Sequence, residues 1–182
     1  MKTSYPEKVG GWKVKSSHIA YENPWIKVTH DQVITPKGTD GIYGTVHFKN
    51  IAIGVLPIDE EGNTWLVKQS RYTLNQYTWE IPEGGCPEGE DPVNAARREL
   101  EEEVGLKAAE VTELMRMHLS NSVSDELAII FVAKGLSAGQ QALESTEDIE
   151  YKKMPLTEAI AMVKRGDITD SISVAALLRI CL

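Results

Sequence analysis

The sequence predicts an α+β fold in which a mixed β-sheet is set between helices. Three observations carry that expectation. Runs of β-branched and aromatic residues dominate the N-terminal part, a helical period takes over after Pro92, and strands and helices then mix without the regular alternation of a doubly wound parallel sheet. At 182 residues, 42% hydrophobic and 25% charged, the chain is long enough to bury a full core.

Taken in order, WKVKSSHIA (12–20), WIKVTHDQVIT (25–35) and IYGTVHF (42–48) read as strands, separated by the turn-forming segments ENP and PKGTDG. They compose a β-rich N-terminal arm, residues 1–48, ahead of a domain over 49–182. IAIGVLPI (51–58) and TWLVKQS (64–70) flank DEEGN, so a hairpin is expected in the domain body. A helix over 92–104 follows from its ends: Asp91 can cap the free N–H groups, Pro92 suits the first turn, and Gly105 stands where a helix stops. Strands at 112–120 and 127–136, an acidic loop, a short strand near IEYKKM and helices at about 156–165 and 171–181 complete the chain. There is no internal repeat.

Composition excludes several functions. The net charge of −8, with no basic patch, argues against a nucleic-acid backbone or an anionic membrane as the main partner. The N-terminus MKTSYPEKVGGWKVK lacks the apolar core of a secretory signal, and no run approaches the ~20 apolar residues of a membrane span, so a cytoplasmic location is expected. Cys86 and Cys181 fit neither a disulfide framework nor a CxxC metal site. His18, His30, His47 and His118 are scattered without ligand spacing and read as structural or exposed.

The chemistry is concentrated in GGCPEGEDPVNAARRELEEEVGL, residues 84–106. On the helix, Val93, Leu100 and Val104 gather on an apolar stripe, while Glu99, Glu102 and Glu103 share the adjacent face. Like charges at i, i+3 and i+4 repel by a few tenths of a kcal/mol per pair on an exposed helix. A cation reverses that penalty. Hard divalent ions such as Mg²⁺ favour carboxylate oxygens and keep waters and substrate phosphates in their shell. The plainer reading of such a run is a solvated helix face.

Gly84, then five residues, Glu90, seven residues, Arg98-Glu99-Leu100, one residue, Glu102-Glu103, one residue, Gly105-Leu106 resembles the Nudix box at every defined position. The resemblance implies an α/β/α sandwich that binds divalent metal and hydrolyses a nucleoside diphosphate linked to another group. It implies Glu99 and Glu103 as principal metal ligands, and Glu102 as a further ligand or partner of metal-bound water. Arg98 is similar to the arginine that orients the box carboxylates, Gly84 and Gly105 resemble structural positions, and Glu90 a loop brace. Glu83 matches a position whose backbone carbonyl contacts metal in related enzymes.

Flanking segments resemble the ADP-ribose and nucleotide-sugar branch of that family. KQSRYTLNQYTWEIPEGG (68–85) is similar to its segment before the box, which implies Arg71 as a phosphate partner and Glu80 as an acceptor for base or ribose; a structural ion pair is the alternative. SNSVSDELAIIFVA (120–133) resembles a segment placing Ser124 and Glu126 near substrate, although Asn121-Ser122 stands where the branch has Pro-Gly. GDITDSISVAALL (166–178) resembles its C-terminal helix. LESTEDIEY (143–151) lies where the branch carries a mobile acidic loop, which makes Glu147 the leading general base, with Glu150, Glu144 and Glu102 behind it. Trp12 and Trp25 fall in the arm, which in this branch exchanges between subunits of a homodimer; either stacks on a nucleobase or packs in an interface. Trp65 and Trp79 read as core.

The implied activity is Mg²⁺-dependent pyrophosphohydrolysis, with Mn²⁺ as a substitute metal. It would cleave nucleoside diphosphate sugars to a nucleoside monophosphate and a sugar phosphate. The alternatives are a strict ADP-ribose pyrophosphatase and a non-catalytic module that binds nucleotide sugars.

Overall fold

A computed structural model of the chain describes residues 7–143 and 148–182. It divides into two compact units, residues 1–50 with 118–126, and residues 51–117 with 127–182.

In the first unit, β1 (Glu7–Val9), β2 (Trp12–Glu22), β3 (Ile26–Ile34) and β4 (Asp40–Phe48) form an antiparallel meander in sequence order. Its turns are those the sequence offers. The Asn23 side chain accepts from the Trp25 and Ile26 amides at 2.9 and 2.8 Å, and Gly38 takes the left-handed φ of +86° in the β3–β4 turn. Residues 118–126 join this unit by main-chain bonds from Val46 to Val123 and from Asp125 to Val46. Asp125 anchors the segment, accepting from the Phe48 amide at 3.0 Å and from His47 Nδ1. In the meander only Val14 and Val33 are buried hydrophobics, while Ile19, Tyr21, Trp25 and Ile42 are exposed.

The second unit holds two sheets. β5 (Ile51–Pro57) lies between β8 (Glu83–Cys86), antiparallel, and β10 (Leu127–Ala138), parallel, with β9 (Leu106–His118) outside β10. β6 (Asn63–Arg71) lies between β7 (Gln76–Glu80) and β11 (Glu150–Pro155), both antiparallel. Strand alternation places helices on both faces of β5. Ile53 and Val55 pack with Ala95, Ala96, Leu100 and Val104 of α1 (Pro92–Val104). Gly54 points the other way, where a Cβ would collide with Ile172 of α3 (Ser171–Arg179). α2 (Leu156–Arg165) packs on β11, β6 and α3. This is the expected helix–sheet–helix layering of an α+β chain. Each fully buried aliphatic such as Ile53 or Leu100 contributes roughly 1.5–3 kcal/mol through burial.

Four details depart from the sequence reading. β5 and β6 are not a paired hairpin: DEEGN does turn, with Asp59 Oδ1 accepting from the Asn63 amide at 2.7 Å, but the strands enter different sheets because β8 and β10 occupy both edges of β5. β9 begins at Leu106, well ahead of residue 112, since pairing with β10 supplies the backbone partners that Lys-Ala-Ala-Glu lacks the propensity to demand. β7 (QYTWE) and β8 (EGGC) arise within QYTWEIPEGGC, a stretch not read as strand: β7 is only five residues long, and the glycines of β8 hide its period. Trp79 is half-buried outside the core cluster, with the Lys68 ammonium over its ring at 5.8 Å, whereas Trp65, half-buried under Lys153 at 4.9 Å, packs against the core.

Candidate functional site

α1 starts and stops as its sequence dictates. Asp91 Oδ1 accepts from the Val93 amide at 2.8 Å, Pro92 opens the first turn, and Gly105 closes the helix in the left-handed region at φ 73°. A helix so fixed, with Leu100 and Val104 in the core, presents its carboxylate face at a set angle.

Arg98 organises that face. Its Nε and Nη2 donate to the two oxygens of Glu90 at 3.2 and 3.1 Å, and Nη2 also donates to the Gly85 carbonyl at 2.8 Å. Nη1 bridges Glu99 at 2.7 Å and Glu102 at 3.0 Å. Hydrogen bonding to Glu90 is the largest influence on this guanidinium and outweighs burial, so its pKa lies above the ordinary arginine value. Glu99 and Glu103 are buried, whereas Glu102 is about one-third exposed. The Glu83 amide donates to Glu103 Oε2 at 2.9 Å, tying β8 to the helix. Gly84 is required by space: a Cβ there would overlap the Glu99 carboxylate. Residues 139–142 are fastened to the end of α1, Gly139 N to Gly105 O, Gln141 Nε2 to Glu103 O and Ala142 N to Glu102 O. A solvent-open cleft of about 490 Å³ lies there, lined by Arg98, Glu101, Glu102, Gln140 and Ala142.

A second cluster adjoins β8. Arg71 donates through Nε and Nη2 to both oxygens of Glu80, at 2.9 Å to Oε1, and through Nη2 to Glu83. Thr78 and Gln69 also donate to Glu80. Burial opposes the charge on Glu80, but these donors prevail and hold its pKa below the usual carboxylate value. Burial pushes Glu83 the other way, well above that value, aided by the Asp170 and Glu80 charges. Asp170, absent from the sequence reading, is the N-cap of α3, its Oδ2 accepting from the Ser173 amide at 2.7 Å. An Asp one residue before the helix is the local signal that could have marked it as a cap; its meeting with Glu83 has no local signal.

The remaining candidates lie elsewhere. Glu147 and Glu144 fall outside the described residues. Beyond that gap, Asp148 accepts from the Tyr77 hydroxyl at 2.7 Å, and Glu150 opens β11 opposite Lys68. Ser124 and Glu126 belong to the first unit. Ser124 Oγ donates to the Leu119 carbonyl at 3.1 Å and so closes a turn, and burial raises the Glu126 pKa, with Asp125 adding to it. In the same unit Trp12 meets Tyr43 edge-on at 5.2 Å beside a cavity of about 250 Å³, while Trp25 is 66% exposed.

A family model described as the NUDIX domain matches residues 48–176. The chain belongs to the Nudix family. A second model, the nucleoside diphosphate sugar hydrolase N-terminal domain, matches residues 12–46. Among Nudix relatives, the ADP-ribose pyrophosphatase of Bacillus subtilis is 34% identical over 122 residues, 66% of each chain. That of Mycobacterium tuberculosis is 33% identical over 169 residues, covering 91% of this chain and 81% of its own. The crystal structure of an ADP compounds hydrolase superposes with a TM-score of 0.85 at 20% identity, over 96% of this chain and 95% of the other.

The donor set suits the divalent metal that Nudix hydrolases use. Two buried carboxylates, Glu99 and Glu103, sit on one helix face, and the missing side chain of Gly84 leaves room for Glu99. Such burial is costly without compensating charge.

Proposed function

We propose that this protein is a Mg²⁺-dependent pyrophosphohydrolase that cleaves the diphosphate of nucleoside diphosphate sugars to a nucleoside monophosphate and a sugar phosphate. The observation that carries the proposal is the braced box: Arg98 fixes Glu90, Glu99 and Glu102 at once, next to buried Glu103. Substrate class is supported by the N-terminal match over residues 12–46 and by relatives named ADP-ribose pyrophosphatases. Glu99, Glu103 and Glu102, with the Glu83 main chain, would hold the metal. When bound, the ion neutralises the diphosphate and lowers the pKa of water.

The chain's own residues then divide the work. Arg98 keeps the carboxylates oriented. Glu147 takes the proton from the attacking water; the anchoring of residues 139–142 on the end of α1 supports this role, because the acidic loop departs from beside Glu102. Arg71 is held as a cation facing Glu80 and Glu83, and serves chiefly to fix that corner of the site. The arm residues Trp12 and Trp25, with Ser124 and Glu126, contact the nucleotide sugar, and the protein is a homodimer. The exposed Ile19, Tyr21, Trp25 and Ile42 of a meander with so little buried apolar surface support such an assembly. A cytoplasmic location fits, and no described helix is long and apolar enough to cross a membrane.

The test is the initial rate with Mg²⁺ on ADP-ribose, ADP-glucose, GDP-mannose, UDP-glucose, NADH, diadenosine polyphosphates and nucleoside triphosphates. Turnover concentrated in the nucleotide sugars is expected. Dominance by ADP-ribose alone would narrow the assignment to a strict ADP-ribose pyrophosphatase. Preference for triphosphates or dinucleotides, or tight nucleotide-sugar binding without turnover, would overturn it.

A further inference from the structure

We propose that Glu80, Glu83 and Asp170 form a divalent-cation site distinct from the box, built where the end of β7, the start of β8 and the N-cap of α3 converge. One carboxylate oxygen from each of the three lies within 4.8 Å of the others. That juxtaposition alone would be only an acidic cluster. The second observation is Glu83 Oε2: the side chain is 9% exposed, the oxygen is buried, and among the described residues no N–H or hydroxyl group donates to it, the Glu80 carboxyl being the neighbouring acid within hydrogen-bond reach of this side chain. A buried oxygen left without a donor is costly, and an ion is one of the few ways to satisfy it.

Charge points the same way. Arg71 faces Glu80 and Glu83, so with Asp170 three carboxylates share one guanidinium. The Arg71 contact is made through Glu83 Oε1, which leaves Oε2 for a further cation. Glu80 already accepts from Arg71, Thr78 and Gln69, and so contributes one oxygen of a hydrogen-bonded carboxylate. Asp170 is fixed in place by the Ser173 amide, which donates to its Oδ2 at the start of α3. An all-oxygen set with few protein ligands suits a hard ion that retains waters, Mg²⁺ or Mn²⁺. The site uses none of Glu99, Glu102 or Glu103. Residue 83 separates the two: its amide faces Glu103, and its side chain faces Arg71.

The probe is Mn²⁺ alone, without nucleotide, followed by loss of the free-ion electron paramagnetic resonance signal. In the Glu99→Gln/Glu103→Gln protein, one Mn²⁺ should remain bound below about 1 mM. Adding Asp170→Asn, which keeps a capping side chain, or Glu83→Gln, which keeps the shape, should weaken that ion at least ~10-fold. Mn²⁺ should also broaden the Ser171 and Ser173 amide resonances in the box variant and cease to do so after Asp170→Asn. Should the double box variant fail to fold, the count is made on the wild-type background, where Asp170→Asn and Glu83→Gln should each lower it by one. No Mn²⁺ retained in a folded box variant, or a retained ion indifferent to both substitutions, would overturn the site and assign the Glu83 oxygen to a shared proton instead. Neither result depends on which nucleotide is hydrolysed.

Discussion

Removing Arg98 tests whether the box is an energetic unit or a set of surface charges. In Arg98→Ala, five hydrogen bonds to Glu90, Glu99, Glu102 and Gly85 disappear. The Glu99 carboxylate, 8% exposed, loses its guanidinium, and Glu90 and Glu102 lose the charge that separates them. Breaking a buried ion pair from one side costs about 3–5 kcal/mol; because Arg98 is 34% exposed, the lower end, about 3 kcal/mol, is appropriate. For a chain of this size that is a fall in Tm of roughly 6–12 °C. Melts in EDTA at fixed protein concentration measure it. Mg²⁺ should raise the Tm of the variant more than that of wild type, since the ion replaces part of the missing charge. Arg98→Lys should recover less than half of the loss, because an ammonium cannot reproduce the fork that reaches Glu90 and Glu99 together. A variant melting within about 2 °C of wild type in EDTA would refute the reasoning and reduce these contacts to ordinary surface pairs.

Other substitutions separate further roles. Glu103→Gln should lower kcat more than about 100-fold, beyond the 10–100-fold typical of residues one shell outside a metal, with the circular dichroism spectrum unchanged. Gly84→Ala forces Glu99 aside and should weaken Mn²⁺ binding by calorimetry, while Gly89→Ala, in open space but at φ 91°, should affect stability only. Arg71→Met should lower Tm more than it raises KM if the Glu80–Arg71–Glu83 cluster is structural; a large KM increase at unchanged Tm would restore the phosphate-binding reading. At Asp125, burial opposes the charge, but the His47 hydrogen bond and the Phe48 amide lower the pKa below its ordinary value. A depressed carboxylate pKa stabilises above the unfolded value of about 3.9 and loses that contribution as pH falls through the folded value. Urea melts of Asp125→Asn should therefore match wild type at acid pH and fall below it by at most about 1 kcal/mol at neutral pH, the pair being half exposed.

What the sequence disclosed depended on whether the cause was local. The bounds of α1 were readable because Asp91, Pro92 and Gly105 act within a turn of their own positions. The brace from Arg98 to Glu90 and Gly85 follows from a loop and helix adjoining in sequence. β8 was missed because it is held by backbone pairing with β5, which glycines permit without displaying a period, and β7 because five residues paired with β6 leave too short a period to read. The false hairpin has the same origin: DEEGN specifies a turn, whereas partner choice for β5 was set by distant β10. Asp170 was invisible for a further reason, since an N-cap explains its presence without reference to any neighbour across the fold.

Residue 83 links the two clusters, and its chemistry constrains how they work together. The backbone amide at this position satisfies Glu103, a buried box carboxylate, whatever side chain is attached. The carboxylate adds a third acid beside Glu80 and Asp170. A sequence selected only to grip metal at the box would leave this pocket neutral, because each added buried charge costs several kcal/mol unless it is compensated. Arg71 pairs with two of the three carboxylates, and on the proposal above a bound cation, or failing that a proton, meets the remaining charge. Either ligand would change with the ionic conditions of the cell. On that proposal the corner that aligns β8 against α1 responds to those conditions, and a substitution at Glu83 should alter the metal dependence of the box without touching any of its ligating side chains.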